Sequence, residues 1–345
     1  ICDHIMSIPI EREFETIRPD IEKIRFKDYI RHLPEPENPR TEAMGISIIP
    51  DNGIAMDSAI WMQRVQDGYE LSLSVVDIAS GEMGRFSGPD AGFVKAITIK
   101  SVLDLELESQ KFEISFTNLQ SLAVIRDSDV MQYIKDDQSE LHILLKPYFQ
   151  IAHSLKEKRK YEGALDDAYS KASSFIRGDY AVQDIQVVRR EFLHLAKKAV
   201  AEKFAQDNTL ALYENWFESQ SGMPVVEISA AEEQFDKNPT ETNAAAIISL
   251  IKSGMGKRVH NINPAGHVLY NDEAHLKFTI PAKEFSSYIN LIILHGVLTG
   301  DNPYTPQQID IAINTINGKK GLSSPYYWLS PRRRVISKNQ GDSIS

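Results

Sequence analysis

The sequence predicts an α+β fold, because β-type patterns fill its first part and helical periodicity fills the rest. Between residues 59 and about 125, alternating and β-branched runs follow one another closely. From residue 182 onward, apolar residues recur at spacings of three and four. With 345 residues, 42% of them hydrophobic, the chain is long enough to bury one large core or two modest ones.

The strand region begins with a predicted hairpin around Asp67-Gly68, a pair typical of tight turns. The flanking strands are 59–65 (AIWMQRV) and 69–78 (YELSLSVVDI). Two further runs, 93–107 (FVKAITIKSVLDLEL) and 111–117 (KFEISFT), extend the sheet to about Ile125. Before the strands, 33–42 (LPEPENPRTE) is rich in proline and polar residues, which is typical of a linker.

The helix region carries recognisable start and stop signals. Ser229 followed by Glu232 predicts a capping box, and Gly254 predicts a helix end. Thr305 followed by Pro306 predicts another helix start. The predicted helices are 182–206, 229–238, 242–254, 282–298 and 305–317.

Composition excludes several classes of protein. A formal net charge of −10 argues against indiscriminate nucleic-acid binding, although a local basic channel is compatible with it. The only cysteine is Cys2, which excludes a disulfide framework and a cysteine-rich zinc site and favours a reducing, cytoplasmic setting. No stretch reaches the roughly 20 apolar residues of a membrane span, and the amino terminus lacks the pattern of a signal peptide.

Common catalytic motifs are also missing from the sequence. It contains no G-x-S-x-G, G-x-G-x-x-G or H-E-x-x-H segment. Its nine histidines form no pair at the helical spacing typical of metal ligands. Hydrolase, dinucleotide and zinc-protease functions therefore have no sequence support.

Several segments in order resemble the RNB domain, the catalytic domain of the ribonuclease II and ribonuclease R family. The segments are 48–62 (IIPDNGIAMDSAIWM), 67–80 (DGYELSLSVVDIAS), 152–167 (AHSLKEKRKYEGALDD), 192–204 (FLHLAKKAVAEKF), 266–285 (GHVLYNDEAHLKFTIPAKEF) and 302–317 (NPYTPQQIDIAINTIN). The resemblance implies an RNB fold, with a mixed or antiparallel sheet packed with helices. It divides the chain into an N-terminal arm and linker (1–39), an RNB-like domain (40–320) and an aromatic, basic tail (321–345).

The family degrades single-stranded RNA from its 3′ end with the help of magnesium. Such chemistry uses two metals about 3.5–4 Å apart, held by several carboxylates. Of the four aspartates in the family's cluster, the third falls on Asp57 and is kept. The other three fall on Ile49, Ala55 and Ser58. Asp51 is a weak substitute, so the resemblance implies Asp57 and Asp51 as metal ligands, with Mg²⁺ bound only if the site survives.

The second catalytic segment departs from the family pattern as well. Lys283 stands where the family has its catalytic arginine, which keeps the charge but loses the bidentate fork of donors. Asp57 and Lys283 are therefore the residual catalytic residues. Neighbouring positions also differ from the family, whereas the residues that shape the turn are kept; the former are Ile280, Glu284, Ser287 and Leu291, and the latter are Phe278, Thr279 and Pro281.

Five cations are candidate RNA contacts: Lys283, Lys156, Arg159, Lys257 and Arg258. The pair in 156–163 (KEKRKYEG) forms a cationic helix face, for which a solvated surface is the alternative. The pair in 253–260 (SGMGKRVH) has the alternative of a helix C-cap followed by a basic loop. The tail segment 324–337 interleaves aromatics and arginines, a combination that stacks bases, or docks as a plain aromatic strip.

Three functions follow from these observations. The first is an RNB-type pseudoenzyme that binds single-stranded RNA or a protein partner without efficient hydrolysis. The second is an active, divergent 3′-to-5′ exoribonuclease that uses Asp57 and Lys283 with substitute carboxylates from Asp51, Asp272 or Glu273. The third is a protein-interaction scaffold, which agrees with the net charge of −10. The expected protein is cytoplasmic and has no membrane partner.

Overall fold

A computed structural model describes residues 33–49, 58–80, 92–126, 129–130, 140–178, 183–281 and 284–318. Strands come first in the chain and helices dominate later, which confirms the predicted α+β class. Predictions for the arm before residue 33, for Asp51, Asp57 and Lys283, and for the tail lie outside the described residues.

The strand region closes into a five-stranded barrel. Its strands are β1 (Thr41–Ile49), β2 (Ser58–Val65), β3 (Gly68–Val76), β4 (Phe93–Asp104) and β5 (Ser109–Arg126). Successive strands pair antiparallel, and β1 closes the barrel by pairing parallel to β5. The predicted mixed sheet is therefore right in its strand directions, but its closure depends on a pairing between residues far apart in the chain.

The predicted hairpin is confirmed, with its turn shifted by one residue. Gln66 and Asp67 form the turn, and Gly68 already pairs with Val65 as the first residue of β3. Gly68 also pairs with Asp104 on β4, so its backbone is enclosed on both sides.

β1 and β2 pair over only a short stretch, in which Ile46 lies opposite Ile60. Further along β2, the amide of Met62 donates a hydrogen bond to the Tyr148 hydroxyl at 2.8 Å. A helix side chain thus satisfies a buried strand amide where no ladder partner serves it.

The described helices are α1 (Glu140–Tyr161), α2 (Asp166–Arg177), α3 (Gln183–Gln206), α4 (Val225–Lys237), α5 (Glu241–Gly254), α6 (Phe285–Thr299) and α7 (Pro306–Gly318). The end of α5 at Gly254 and the start of α7 at Pro306 confirm two predicted boundaries. The capping box at Ser229 was wrong, because α4 begins at Val225. Glu232 is instead buried and accepts a hydrogen bond from Lys160 at 2.7 Å.

A second sheet of two strands joins the helical part of the chain. Its strands are β6 (Tyr213–Glu218) and β7 (Met255–Asn261), which pair antiparallel. The predicted basic loop after Gly254 was wrong, because the chain passes directly from α5 into β7. Local composition there is polar, and the strand forms because β6 supplies its hydrogen bonds.

Two main hydrophobic clusters hold these elements. The larger joins the barrel interior to α1, α3, α6 and α7, and includes Leu73, Phe192 and Leu294. The smaller lies among α2, α4 and α5, and includes Ala172, Phe235 and Ile247. Within the described residues, no helix is both long enough and apolar enough to cross a membrane.

The segment before β1 packs against the barrel although its composition predicted a linker. The Leu33 amide donates to the Ala79 carbonyl at 3.0 Å, and Arg40 donates to the Ala96 carbonyl at 3.2 Å. β1 already begins at Thr41, inside the predicted linker. Backbone and side-chain hydrogen bonds thus hold this proline-rich, polar segment against the barrel.

Candidate functional site

Ile49 and Ser58 flank one end of the barrel, where β1 ends and β2 begins. Each is 7% exposed. Ile49 pairs with Arg126 and Ser58 with Val75, and the Ser47 hydroxyl donates to the Ser58 carbonyl at 3.2 Å. These strand ends are thus fixed on both sides of the segment that contains Asp51 and Asp57. The segment itself, 50–57, lies outside the described residues.

A small pocket opens beside these strand ends. Its wall is apolar except for Ser58 and for Arg189, which α3 contributes. The lining residues are Ile46, Ile48, Ser58, Ile60, Leu73, Arg189 and Leu193. The described part of this pocket contains one hydroxyl and one cation, but no carboxylate.

Arg159 lies between three helices rather than on a solvated face. Its guanidinium binds both oxygens of Asp166 on α2, at 2.9 and 3.0 Å, and both oxygens of Glu191 on α3, at 2.8 Å. Burial lowers the pKa of Arg159, but these two carboxylates raise it above its ordinary value. Through these hydrogen bonds, Arg159 joins α1 to α2 and α3. Its buried, paired position does not favour the predicted RNA contact.

The three other candidate cations within the described residues lie at the surface or near it. Lys156 on α1 lies 3.0 Å from Glu157 and 3.7 Å from Asp167. Lys257 is exposed on β7. Arg258 next to it pairs with Glu214, and its guanidinium lies 5.5 Å from the centre of the Trp216 ring. Their RNA contacts remain predictions.

A buried polar cluster that the sequence did not predict lies against the two-stranded sheet. It contains Glu214 on β6, His260 on β7, and His267 and His275 from the segment that follows β7. Glu214 Oε1 lies 3.3 Å from His267 Nε2, and Glu214 Oε2 lies 3.2 Å from Lys277 Nζ. A search for histidine pairs at helical spacing missed this cluster, because its members lie on strands and turns.

Backbone hydrogen bonds fix the segment that carries the two histidines. The Glu214 amide donates to the His275 carbonyl, and the His267 amide donates to the Asp272 carbonyl, both at 2.8 Å. Gly266 and Asn271 adopt positive φ values of 89° and 52°, which allow the tight reversal. Both histidine backbones are therefore held at defined positions relative to β6.

The cluster shifts the titration of its members in opposite directions. Burial raises the pKa of Glu214, but the hydrogen bond from His267 and the charge of Lys277 lower it well below its ordinary value. Burial lowers the pKa of His260 to about 4 and raises that of Asp272 to about 7. At pH 7, Glu214 is therefore anionic, whereas the histidines next to it are neutral.

Ion pairs continue from this cluster to Glu284, the residue that follows Lys283 in the sequence. Lys277 lies 3.2 Å from Glu284 Oε1 as well as from Glu214. Glu284 is the N-cap residue of α6 and accepts a hydrogen bond from Ser287 at 3.3 Å. Lys283, which immediately precedes Glu284, lies outside the described residues. The Lys277–Glu284 pair links residues on either side of the segment that contains Lys283.

The two other candidate substitute carboxylates, Asp272 and Glu273, differ in their surroundings. Asp272 pairs with His275 at 3.1 Å and lies 3.4 Å from His194. Glu273 is exposed. Asp272 thus belongs to the buried cluster.

Neither a protein-family model nor a curated protein matches the sequence. Solved structures do match. RNase R of Mycoplasma genitalium, in complex with ribose-methylated single-stranded RNA, superposes with a TM-score of 0.63 at 10% identity, over 81% of this chain and 55% of that one. The chain has an RNB-like fold. This finding confirms at the level of the fold the resemblance that the sequence segments indicated.

Two further structures share the RNB-like fold. Dss1 exoribonuclease from Candida glabrata, in an active-site mutant form, superposes with a TM-score of 0.63 at 13% identity, over 80% of this chain and 44% of that one. Yeast Ssd1, described as a pseudonuclease, superposes with a TM-score of 0.61 at 16% identity, over 85% of this chain and 45% of that one. The chain spans about half the length of these proteins, and the RNB-like fold is what they share.

Proposed function

We propose that this chain binds single-stranded RNA through its RNB-like fold and does not hydrolyse it efficiently. One observation carries the proposal. Ile49 and Ser58, which stand at two of the positions where the family has aspartates, are buried at the strand ends of the barrel. Neither side chain is a carboxylate, and both are fixed by strand pairing rather than placed on a rearranging loop.

The donor set that the described residues offer at this end of the barrel does not fit a pair of magnesium ions. Magnesium requires hard oxygen ligands in near-octahedral geometry, and a two-metal site needs several carboxylates. Ile49 offers no ligand atom, and the Ser58 carbonyl already accepts a hydrogen bond from Ser47. Asp51 and Asp57 alone leave too few carboxylates for two metals.

One structural neighbour supports the RNA-binding part of the proposal, because it is an RNase R bound to single-stranded RNA. Another neighbour is described as a pseudonuclease, which supports the lack of efficient hydrolysis. Exposed Lys257 on β7 and the predicted contact at Lys283 would then face the phosphate backbone. Because the net charge is −10, such binding depends on local cations and is sensitive to salt. We place the protein in the cytoplasm, a setting that agrees with a single cysteine.

The hydrolysis arm of the test is a gel time course. Purified protein is incubated with 5′-labelled single-stranded RNA in magnesium, manganese or EDTA, beside an Asp57→Asn variant. The proposal expects intact RNA in every lane. Metal-dependent shortening that Asp57→Asn abolishes would show an active 3′-to-5′ exoribonuclease and overturn the proposal.

The binding arm measures a mobility shift with the same RNA between about 50 and 200 mM salt. Lys257→Glu removes a cation of β7, and Lys237→Glu reverses an exposed lysine of α4 as the matched control. We expect Lys257→Glu to weaken the shift and to lower the salt slope by about 0.7 per lost phosphate contact. We expect Lys237→Glu to leave both unchanged. No shift for the unmodified chain would leave a protein-interaction scaffold as the function.

A further inference from the structure

Three buried residues bring ligand atoms together in the second part of the chain. One ligand atom from each of Glu214, His267 and His275 lies within 4.8 Å of the other two. The residues are 3%, 2% and 1% exposed. Among the described residues, this is the one such group of three.

Each of the two histidines has one buried ring nitrogen without a hydrogen-bond partner. His267 Nδ1 and His275 Nε2 have no hydrogen-bond partner in the structure. Buried polar atoms in folded proteins are nearly always paired, so an unpaired nitrogen calls for an ion or a water. Here two unpaired nitrogens belong to the same group of three residues as a buried carboxylate.

The Asp272 carboxylate orients one of the two rings. Its Oδ2 lies 3.1 Å from His275 Nδ1. When Asp272 is ionised it can only accept this hydrogen bond, so Nδ1 carries the proton and Nε2 keeps a lone pair. Carboxylate-to-histidine hydrogen bonds of this kind commonly fix the ring of a zinc ligand. Asp272 therefore orients the His275 ring and is not itself one of the three ligands.

The two oxygens of the Glu214 carboxylate have different partners. Oε2 faces the cations of Arg258 and Lys277, whereas Oε1 faces His267. Oε1 accepts the hydrogen bond from His267 Nε2 and keeps a second lone pair for a metal ion. Imidazole nitrogens with one carboxylate oxygen are a donor set that zinc accepts, whereas magnesium prefers oxygen alone.

We propose that Glu214, His267 and His275 bind one Zn²⁺ ion. The ion ties β6 to the turn that carries both histidines, whose backbone is already bonded to Glu214. It thereby stabilises the start of the segment that leads through Lys277 to Glu284 and α6. The site is structural in this role, and it does not depend on the RNA-binding proposal.

The first test uses the unmodified full chain. The protein is stripped with EDTA, dialysed, and titrated with Zn²⁺ in a calorimeter, and bound metal is counted by mass spectrometry after gel filtration. We expect one Zn²⁺ per chain and a higher melting temperature in zinc than in EDTA. Substituting Co²⁺ should give the visible absorption of a four-coordinate nitrogen and oxygen site. Failure of the stripped chain to retain any zinc would overturn the proposal, whatever the variants do.

The second test assigns the ligands by matched variants. His275→Gln and His267→Gln should each lose the bound zinc, and Asp272→Asn should weaken binding about 10–100-fold. His260→Gln is the control, because this buried histidine lies 3.6 Å from Glu214 on its other oxygen and outside the group. It should keep one Zn²⁺ per chain. Circular dichroism of each stripped variant checks folding, and loss of zinc from a folded His260→Gln variant would overturn the three-residue assignment.

Discussion

The Asp77 carboxylate lies 2.8 Å from His295 Nδ1, although 218 positions separate the two residues. Both side chains are fully buried. Arg40 donates to the other Asp77 oxygen at 2.6 Å, and His295 Nε2 lies 3.1 Å from the Pro34 carbonyl. This small network joins the segment before β1, the end of β3 and helix α6. It explains why a proline-rich stretch is held in place.

Removing the charge of Asp77 should strongly destabilise the protein. Asp77→Asn leaves Arg40 without its buried carboxylate, a change that costs about 3–5 kcal/mol. Urea unfolding at pH 7 measures the free energy of unfolding. Asp67→Asn in the exposed hairpin turn is the control and should change it by about 0.5 kcal/mol or less. Equal effects of the two variants would contradict the structural role of Asp77.

The same network should make stability fall in acid. Burial raises the pKa of Asp77, but the hydrogen bond from His295 and the contact with Arg40 bring it below its ordinary value of 3.8. A lowered folded-state pKa means that this stabilisation is present above pH 3.8 and is lost as the pH falls through the lower folded value. Urea midpoints at a series of acidic pH values should show this loss for the unmodified chain. A folded Asp77→Asn variant should lack that component, and an unchanged slope would contradict the assignment.

Tyr148→Phe tests the barrel near the short pairing of β1 and β2. The variant keeps the stacked contact with Phe192, whose ring centre lies 5.6 Å away, but leaves the Met62 amide without its acceptor. An unpaired buried amide costs about 1–3 kcal/mol. Urea unfolding should report that loss, and hydrogen exchange at Met62 should become faster. Unchanged exchange at this amide would mean that another acceptor serves it.

Gly68→Ala tests the close packing of β3 against β4. A Cβ at this position would lie 1.9 Å from the Leu103 carbonyl oxygen and 2.9 Å from Asp104 Cα. Both contacts involve backbone, which does not rotate away as a side chain does. We expect a loss of about 1–3 kcal/mol in the free energy of unfolding. Gly318→Ala is the control, because a Cβ there meets nothing within 4 Å.

Arg159→Met tests whether this cation joins helices. Asp166 and Glu191 would lose their shared buried partner, and we expect a cost of about 3–5 kcal/mol. Lys198→Met, exposed on α3, is the control and should cost about 0.5 kcal/mol or less. Thermal and urea unfolding measure both. If Arg159→Met stays as stable as the parent and weakens only the RNA shift, the residue contacts RNA as the sequence predicted.

Local signals in the sequence predicted those elements whose formation depends on local patterns. The hairpin around Gly68, the end of α5 at Gly254 and the start of α7 at Pro306 each follow from turn or capping chemistry within a few residues. The capping box predicted at Ser229 does not form, because Glu232 lies inside α4 and accepts a hydrogen bond from Lys160. β7 was missed because its strand forms only against β6.

The sequence by itself determined the α+β class and the order of the segments that resemble an RNB domain. Only the tertiary structure decided that the strands close into a barrel, that Arg159 is buried between carboxylates, and that Glu214, His267 and His275 meet. The physical reason is distance along the chain. Periodicity and caps act between neighbouring residues, whereas barrel closure and buried polar clusters join residues that only the fold brings together.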